Sequence, residues 1–369
     1  MSFDAWNTSE YIIPLYFIFN LINYSLFLFS SIWEKGFINI IVIILIIIGQ
    51  HACILYNNIH QRLHMTRYNF IKRNYSSKLS NNLYKFNEFI VGLTDGKGTF
   101  SIYINKNKTK VQFIYKISLV KYNIQLLYKI KSYLGIGQVK TDNINKMSSY
   151  LITDKDKILK NIIPIFDKYP LLTSKKYNYD IFKECLLISN DFSLNHNEKI
   201  NKIYNLYYNK SIPNNYISNS WKIKNNLIYK LEDWSKEDIK IIMSKYWLIG
   251  FIEAEGSFYL VNKDLNRIVH GFSITHKLDP IVLNAIKRLL KIPSNVNYNK
   301  NNNLYKLDTT NSKSIEYIIN YFSYNNYKPY FLGYKSLEFR IWSRSYFKHK
   351  NDYNKLLNIQ ELLRKIRKI

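Results

Sequence analysis

The sequence has few cysteines, glycines, prolines and acidic side chains, and each shortage excludes a class of protein. Its two cysteines, Cys53 and Cys185, are too few for a disulfide framework or a cysteine-based zinc site. Eleven glycines and seven prolines exclude a collagen-like or proline-rich chain. Only 26 acidic residues oppose 53 lysines and arginines, and the resulting net charge of +27 disfavours a simple acidic metabolic enzyme.

The abundant residues indicate a folded, basic protein. The 369 residues allow two domains and an extension, and a hydrophobic content of 47% excludes a wholly disordered chain. The composition favours Asn, Ile, Lys, Tyr and Phe, which A+T-rich codons specify, and includes 33 tyrosines but nine arginines. This bias is typical of a low-GC genome such as that of an organelle.

An apolar head precedes a basic body. Residues 1–60 carry a net charge of −2 and the remaining residues +29. Residues 11–33 and 36–56 contain no charged side chain, and each stretch is long enough to cross a bilayer. We expect a two-helix transmembrane hairpin, with two buried core helices as the alternative. The basic linker at 61–82 then places the body on the matrix side of a mitochondrial inner membrane by the positive-inside rule.

A repeat organises the basic body. The segment FIVGLTDGKGTF at Phe89–Phe100 matches WLIGFIEAEGSF at Trp247–Phe258, with an offset of 158 residues. The pattern after each copy predicts two strands, a helix, two strands and a helix. This order predicts two copies of one α/β unit, at residues 83–189 and 239–369, joined by a polar linker at 190–238.

Both copies contain glycines at corresponding positions. Gly92 and Gly250 interrupt apolar helices, which is favourable only where another backbone approaches closely. Gly98 and Gly256 suit a left-handed residue just past the helix end. The strand that follows the first copy alternates, with Phe100 among the apolar residues on one face and a polar opposite face free to touch a ligand.

These residues resemble the two-motif, single-chain form of the LAGLIDADG family of intron-encoded homing endonucleases and maturases. The resemblance extends from Leu83 to the C-terminus. It implies an α+β fold of two pseudo-symmetric αββαββα units, with the motif helices at the central interface. Two saddle-shaped antiparallel sheets would cover a nucleic-acid duplex, and the protein is expected to be monomeric.

In family nucleases, the penultimate motif residue of each copy is an acid that holds divalent cations beside the scissile phosphates. Glu255 fits this pattern as a metal-binding acid, whereas Lys97 occupies the other acid position. The earlier motif acids, Asp95 and Glu253, are more structural in the family. A lysine has no acceptor for a metal, and its ammonium could pair with Glu255. We therefore expect lost or impaired cleavage, with Mg²⁺ as cofactor only if cleavage is retained.

The resemblance also implies a basic residue near the active site from the third helix region. Lys175 or Lys176 in the first copy and Lys335 in the second match by spacing, although in so lysine-rich a chain a solvated surface lysine is the more common case.

Tyrosines and lysines interleave in the predicted strands and hairpins, where phosphate contacts and base stacking are expected. The candidate nucleic-acid-binding residues are Tyr103, Lys106, Lys108, Lys110, Tyr115, Lys116, Tyr298, Lys300, Tyr305 and Lys306.

Three functions follow for such a protein. The first is an RNA maturase that assists splicing of a group I intron with a degenerate nuclease centre. The second is an active Mg²⁺-dependent site-specific homing endonuclease or nickase acting on a DNA duplex. The third is a structural RNA-binding protein, such as a ribosome-associated factor. Lys97 favours the first, so whether the protein is an enzyme stays open at this point.

Overall fold

A computed structural model describes residues 85–368 apart from 106, 108, 214–215, 223–233 and 326–327, together with residue 20. The chain divides into two compact units, residues 1–79 and 80–369. The predicted membrane hairpin and the basic linker at 61–82 lie outside the described residues. No helix among the described residues is long and apolar enough to cross a bilayer.

The first repeat opens with a motif helix, α1, which comprises residues 85–97 and runs directly into a strand. The elements that follow are β1 (Gly98–Ile104), β2 (Val111–Val120), α2 (Ile124–Leu134), β3 (Gln138–Asp142), β4 (Met147–Ile152), α3 (Lys155–Lys157, a π-helical turn Ile158–Ile162, and Ile163–Lys168) and α4 (Lys175–Asn190).

Two further helices, α5 (His196–Tyr208) and α6 (Lys236–Ile242), connect the repeats. The second repeat consists of α7 (Lys245–Glu255), β5 (Gly256–Asp264), β6 (Arg267–His276), α8 (Pro280–Leu289), β7 (Asn297–Asn299), β8 (Leu304–Thr309), α9 (Ser312–Tyr321), β9 (Ser323–Tyr324), β10 (Lys328–Pro329), α10 (Lys335–His349) and α11 (Tyr353–Lys368). Both repeats contain the predicted αββαββα series, and both continue beyond it: α4 follows the first series, while α10 and α11 follow the second.

Each repeat forms a four-stranded antiparallel sheet, as predicted. The strand orders are β1-β2-β4-β3 and β5-β6-β8-β7, so the second sheet repeats the topology of the first. In β1, Phe100, Ile102 and Ile104 are buried, while Tyr103 is exposed. The predicted alternation is therefore confirmed, because successive side chains of a strand point to opposite faces.

The two motif helices cross at Gly92 and Gly250. A Cβ atom at Gly92 would lie 1.9 Å from the backbone oxygen of Trp247, and one at Gly250 would lie 2.1 Å from that of Phe89. No side chain fits at these distances, so glycine is required at both positions because the backbones touch. Leu93 and Phe251 pack beside the crossing and are fully buried.

The predicted left-handed conformation of Gly98 and Gly256 is wrong. Among the described residues, the glycines with positive φ are Gly135 and Gly137. Gly256 has φ −78° and ψ 153°, because the chain passes from helix to strand without a reversing turn. Crowding explains the glycine instead: a Cβ at Gly98 would lie 2.8 Å from the backbone oxygen of Thr94.

The described residues of the segment predicted as a linker pack on both repeats, through Trp221 on the first and through the Trp234 carbonyl, which accepts a hydrogen bond from Arg288, on the second. The side chains of Trp221 and Trp234 are buried with ring centroids 5.8 Å apart. The indole Nε1 of Trp221 donates a hydrogen bond to the carbonyl of Leu172 over 2.7 Å. The segment thereby covers the chain just ahead of α4, beside the ends of the motif helices.

Candidate active site and nucleic-acid interface

The last residues of the motif helices bring Lys97 and Glu255 together. The Nζ atom of Lys97 lies 3.1 Å from Oε1 and 3.3 Å from Oε2 of Glu255. The lysine side chain is 44% exposed and the glutamate side chain 15% exposed. The residues are 158 positions apart, so the ion pair joins corresponding positions of the two repeats and occupies the glutamate carboxylate.

The earlier motif acids are buried and hold the chain at the start of the long helices α4 and α10. The Asp95 carboxylate accepts hydrogen bonds from the backbone N–H groups of Leu172 and Thr173, from the Thr173 hydroxyl and from the Trp247 indole. Burial raises the pKa of Asp95 to about 6, against the lowering effect of these bonds.

Glu253 plays the corresponding part in the second repeat. Its carboxylate accepts the backbone N–H groups of Leu332, Gly333 and Lys335, each over 3.2 Å. Burial raises its pKa as well, while Lys335 and the three backbone bonds lower it. Both acids are therefore committed to the fold, and neither replaces the acid missing at position 97.

The candidate lysines Lys175 and Lys335 lie at the ends of the motif helices. The Lys175 ammonium donates to the carbonyls of Thr94 (3.0 Å) and Gly96 (2.7 Å), and the Lys335 ammonium to the carbonyl of Gly256 (2.8 Å). Burial lowers the pKa of Lys175 to about 8, although nearby carboxylates oppose the shift. Lys175 thus satisfies carbonyls left free at the C-terminus of α1, whereas Lys335 bonds the first carbonyl of β5, just past the end of α7.

Lys176, the other candidate in the first repeat, forms an ion pair with Asp180 one helical turn later instead of reaching the motif. The structure therefore distinguishes between the two adjacent lysines that spacing alone left open.

A divalent cation at this site would need several oxygen ligands. The Glu255 carboxylate is paired with the Lys97 ammonium, and lysine ammonium groups already bond the backbone carbonyls of Gly96 and Gly256. In the part of the chain that the structure describes, no three Asp, Glu, His or Cys side chains cluster in a way that could hold a metal. The residues present therefore fit a divalent cation poorly.

A cavity of about 430 Å³ adjoins the ion pair. Besides Lys97, Lys175 and Glu255, its walls include His276 and Lys277, which sequence reasoning did not single out. His276 is the last residue of β6 and Lys277 follows it, so both stand at a strand end beside the ion pair. The cavity's three lysines outnumber the single carboxylate among its described lining residues, Glu255, so the net positive charge of the lining favours phosphate groups.

Exposed tyrosines and lysines occur on both sheets and hairpins. Tyr103 is 57% exposed and Tyr298 47% exposed. The other candidates with accessible side chains are Lys110, Lys116, Lys300, Tyr305 and Lys306. Lys106 and Lys108 lie outside the described residues. The placement is compatible with phosphate and base contacts along the outer faces.

Tyr115 is not available for such a contact, and that prediction is wrong. Its side chain is fully buried between Phe100 and Phe166, and its hydroxyl pairs with the Thr94 hydroxyl over 2.8 Å. Burial raises its pKa far above the ordinary value. Tyr115 and Lys116 are neighbours in β2, so only one of them can face outward, and the charged residue does.

Comparison with known proteins identifies similar chains. A family model described as LAGLIDADG endonuclease matches residues 90–186 and 248–346, which contain the two motifs. The chain is 35% identical over 321 residues to the Schizosaccharomyces pombe protein "Probable intron-encoded endonuclease Cox1-I1b", covering 85% of this chain and 76% of that protein. It is 31% identical over 238 residues to the Saccharomyces cerevisiae "Uncharacterized mitochondrial protein RF1", covering 59% of this chain and 45% of the relative.

A solved structure shows the same fold. The LAGLIDADG homing endonuclease I-GzeII in complex with its DNA target matches with a TM-score of 0.58 and 27% identity. The match covers 74% of this chain and 97% of that one.

Proposed function

The chain belongs to the LAGLIDADG endonuclease family, and from this premise we propose that it is an intron-encoded RNA maturase with a disabled nuclease centre. The protein would bind a group I intron RNA and favour its spliceable fold without cutting DNA. Relatives from mitochondrial genomes support a mitochondrial origin.

The observation that carries this proposal is the ion pair between Lys97 and Glu255. Family endonucleases use divalent metal ions. A cation there would have to displace an ammonium from the glutamate and would gain no ligand from position 97. Because the cation normally stabilises the attacking and leaving oxygens, its loss removes the main source of rate acceleration.

Binding does not depend on the missing acid. The chain carries a net charge of +27, and lysines and tyrosines are exposed on both sheets. Each phosphate that a lysine neutralises releases counterions and strengthens association. A DNA-bound relative with the same fold supports nucleic acid as the partner class. A maturase keeps the fold and the charge and needs no acid pair, which matches this chain.

The test is a paired assay on the full chain with Mg²⁺. Cleavage of DNA that spans the intron-insertion site is measured beside binding and splicing of the host intron RNA. The proposal expects faster splicing and no cut by the unmodified protein, and DNA cutting by Lys97→Asp, which supplies the missing carboxylate. Lys131→Asp, the same charge change at an exposed helix position, is the matched control.

Efficient double-strand cleavage by the unmodified protein would overturn the proposal. So would the absence of any effect on splicing of the host intron RNA, whether or not the protein binds that RNA.

A second candidate is strand nicking through Glu255 alone. It is favoured by the partial exposure of that carboxylate and by the relative named as an intron-encoded endonuclease. Conversion of supercoiled plasmid to the nicked circular form without linear product would identify this activity, and Glu255→Gln should abolish the conversion.

We also propose that the apolar stretches at 11–33 and 36–56 anchor the protein in the mitochondrial inner membrane, on the strength of their charge-free length. Retention in the membrane pellet after alkaline extraction of mitochondria tests this, and full release would contradict it.

A further inference from the structure

A second basic surface lies at the opposite end of the motif helices from the Lys97–Glu255 pair. It is a cleft of about 790 Å³ lined by the first turns of α1 and α7, by β9 and β10, and by one face of α10. Tyr246 of α7 lines it and is nine residues ahead of Glu255, so the two are about 14 Å apart along the helix axis. The cleft is therefore separate from the candidate active site.

Four cationic side chains line this cleft: Lys85, Lys328, Arg340 and Arg344. No acidic side chain is among its described lining residues. Arg340 and Arg344 are one turn apart on α10 and both are exposed, so their guanidinium groups share one face. None of the ion pairs recorded between described residues involves any of the four. Within the described part of the chain, positive charge is thus concentrated here without an acidic partner.

Aromatic rings form the walls of the same cleft. The ring centroids of Tyr324 and Tyr330 are 4.8 Å apart, and the Tyr246 ring stands edge-on to Tyr330 at 6.5 Å. The ammonium of Lys245 covers one face of Tyr330 at 3.9 Å from the centroid. Tyr324 is 42% exposed, so its ring is accessible to a flat ligand. Buried Phe89 and Phe331 complete the apolar part of the lining.

We infer that this cleft binds an unpaired nucleotide of a single-stranded RNA segment. The base would stack on Tyr324, and Arg340 and Arg344 would contact the adjacent phosphates. Aromatic faces beside a guanidinium pair are the combination by which proteins hold unpaired bases. A base within a duplex cannot enter a cleft, whereas an unstacked base in an RNA loop can. The inference rests on the proposed function and adds a contact surface separate from the two sheets.

Binding of a labelled oligouridine to the full chain tests the inference. Fluorescence anisotropy is measured for the unmodified protein and for the double variant Arg340→Ala/Arg344→Ala. We expect affinity to fall about tenfold and the slope of log K against log salt to become shallower by about 1.4, the value for two phosphate contacts on a single strand. The control Arg364→Ala/Lys365→Ala removes two exposed charges from α11 that do not line the cleft. It is expected to change affinity less than about twofold.

The stacking contact is tested at Tyr324. Tyr324→Ala is expected to weaken oligouridine binding about tenfold and Tyr324→Phe to leave it nearly unchanged, because stacking needs the ring and not the hydroxyl. A 4-thiouridine oligomer cross-linked to the unmodified protein should attach to peptides containing Tyr324 or Tyr330. This measurement holds even if a variant folds poorly.

Cross-links confined to the sheet strands, or equal oligouridine affinity of the cleft and control variants, would overturn the inference. The outcomes for the two proposals are separable. Cleft cross-links without any gain in intron splicing would leave the RNA site standing and remove the maturase function. Faster splicing that persists in Arg340→Ala/Arg344→Ala, with cross-links only on the sheets, would support the maturase function and remove the RNA site in the cleft.

Discussion

The side-chain oxygen of Asn123, in the first repeat, accepts the backbone N–H of Tyr334, in the second repeat, over 2.9 Å. The relationship is reciprocal, since the Asp279 carboxylate in the second repeat accepts the N–H of Ser174 in the first over 2.7 Å. Both acceptors stand just ahead of the second helix of their own repeat. Each repeat therefore holds the start of the other's long helix, so the two halves depend on each other for stability.

The first prediction concerns these contacts. Asp279→Ala should lower the free energy of unfolding by about 2–3 kcal/mol, because it leaves the buried Ser174 N–H without its acceptor, and Asn123→Ala by about 1–2 kcal/mol, because the Tyr334 N–H is only partly buried. Denaturant unfolding of the purified chain measures both. Ser118→Ala, which removes a bond to Ser149 within one sheet, is the control and should have an effect below about 1 kcal/mol. Equal effects for Asp279→Ala and the control would contradict the reciprocal arrangement.

The second prediction concerns Asp95. The Asp95→Asn amide would direct its NH₂ group at donors that now face carboxylate oxygens, so we expect a loss of about 3 kcal/mol of unfolding free energy. Thr173→Val removes one of the four donors and keeps the carboxylate, so it should have about half that effect. If Asp95→Asn were the milder change, the aspartate would not be acting as an ionised acceptor.

Much of the fold could be predicted from the repeat. The offset of 158 residues located both motif helices, and alternation in β1 correctly separated buried Phe100 from exposed Tyr103. Strand alternation also implies that only one of Tyr115 and Lys116 can face outward, a constraint that the interleaving of tyrosines and lysines alone does not contain. A rule of period two, applied to β2, would have placed Tyr115 in the core.

Other features depend on contacts between distant segments, which no local pattern encodes. The backbone conformation of Gly256 is set by the strand that it enters, so glycine at a helix end did not imply a left-handed residue. The caps given by Asn123 and Asp279 arise only when the two repeats dock. Whether Lys175 or Lys176 reaches the motif helix likewise depends on the path of α4 past that helix, which the spacing of the two lysines does not encode.

The third prediction tests the helix crossing. Gly92→Ala and Gly250→Ala would each drive a Cβ into the backbone of the facing helix, so we expect each to lower the free energy of unfolding by at least about 3 kcal/mol. Gly135→Ala is the control, because its position has φ +68° and open space around a Cβ, and it should lose only about 1 kcal/mol. Thermal or denaturant unfolding gives the ranking, and tolerance of Gly92→Ala would contradict the observed crossing.

The fourth prediction concerns pH. His270 is buried, pairs with the Ser345 hydroxyl over 2.8 Å, and has a pKa lowered to about 4 by burial and then by Lys350. His270 takes up a proton near pH 6.5 in the unfolded chain but only near pH 4 in the folded chain. This contribution to stability is therefore complete above pH 6.5 and falls, by up to about 3 kcal/mol, as the pH drops towards 4.

His270→Gln can keep a bond to Ser345 without titrating, so unfolding free energy measured across this range should show a shallower acid slope. His349→Gln, at the end of α10, the helix that carries Ser345, should retain the slope of the unmodified chain. An unchanged slope for His270→Gln would assign the acid sensitivity elsewhere.

The last prediction separates two explanations for lost cleavage, a blocking charge and a missing ligand. Lys97→Met frees the Glu255 carboxylate but adds no oxygen, whereas Lys97→Asp does both. If the missing ligand decides, DNA cutting returns only in Lys97→Asp; cutting by Lys97→Met would show that the ammonium alone was the block. Neither change should alter unfolding free energy by more than about 1 kcal/mol, because the lysine side chain is 44% exposed and ion pairs in contact with solvent contribute little. The free energy of unfolding is therefore measured for each variant beside DNA cleavage, so that a variant that does not cut DNA is shown to be folded and to lack the chemistry.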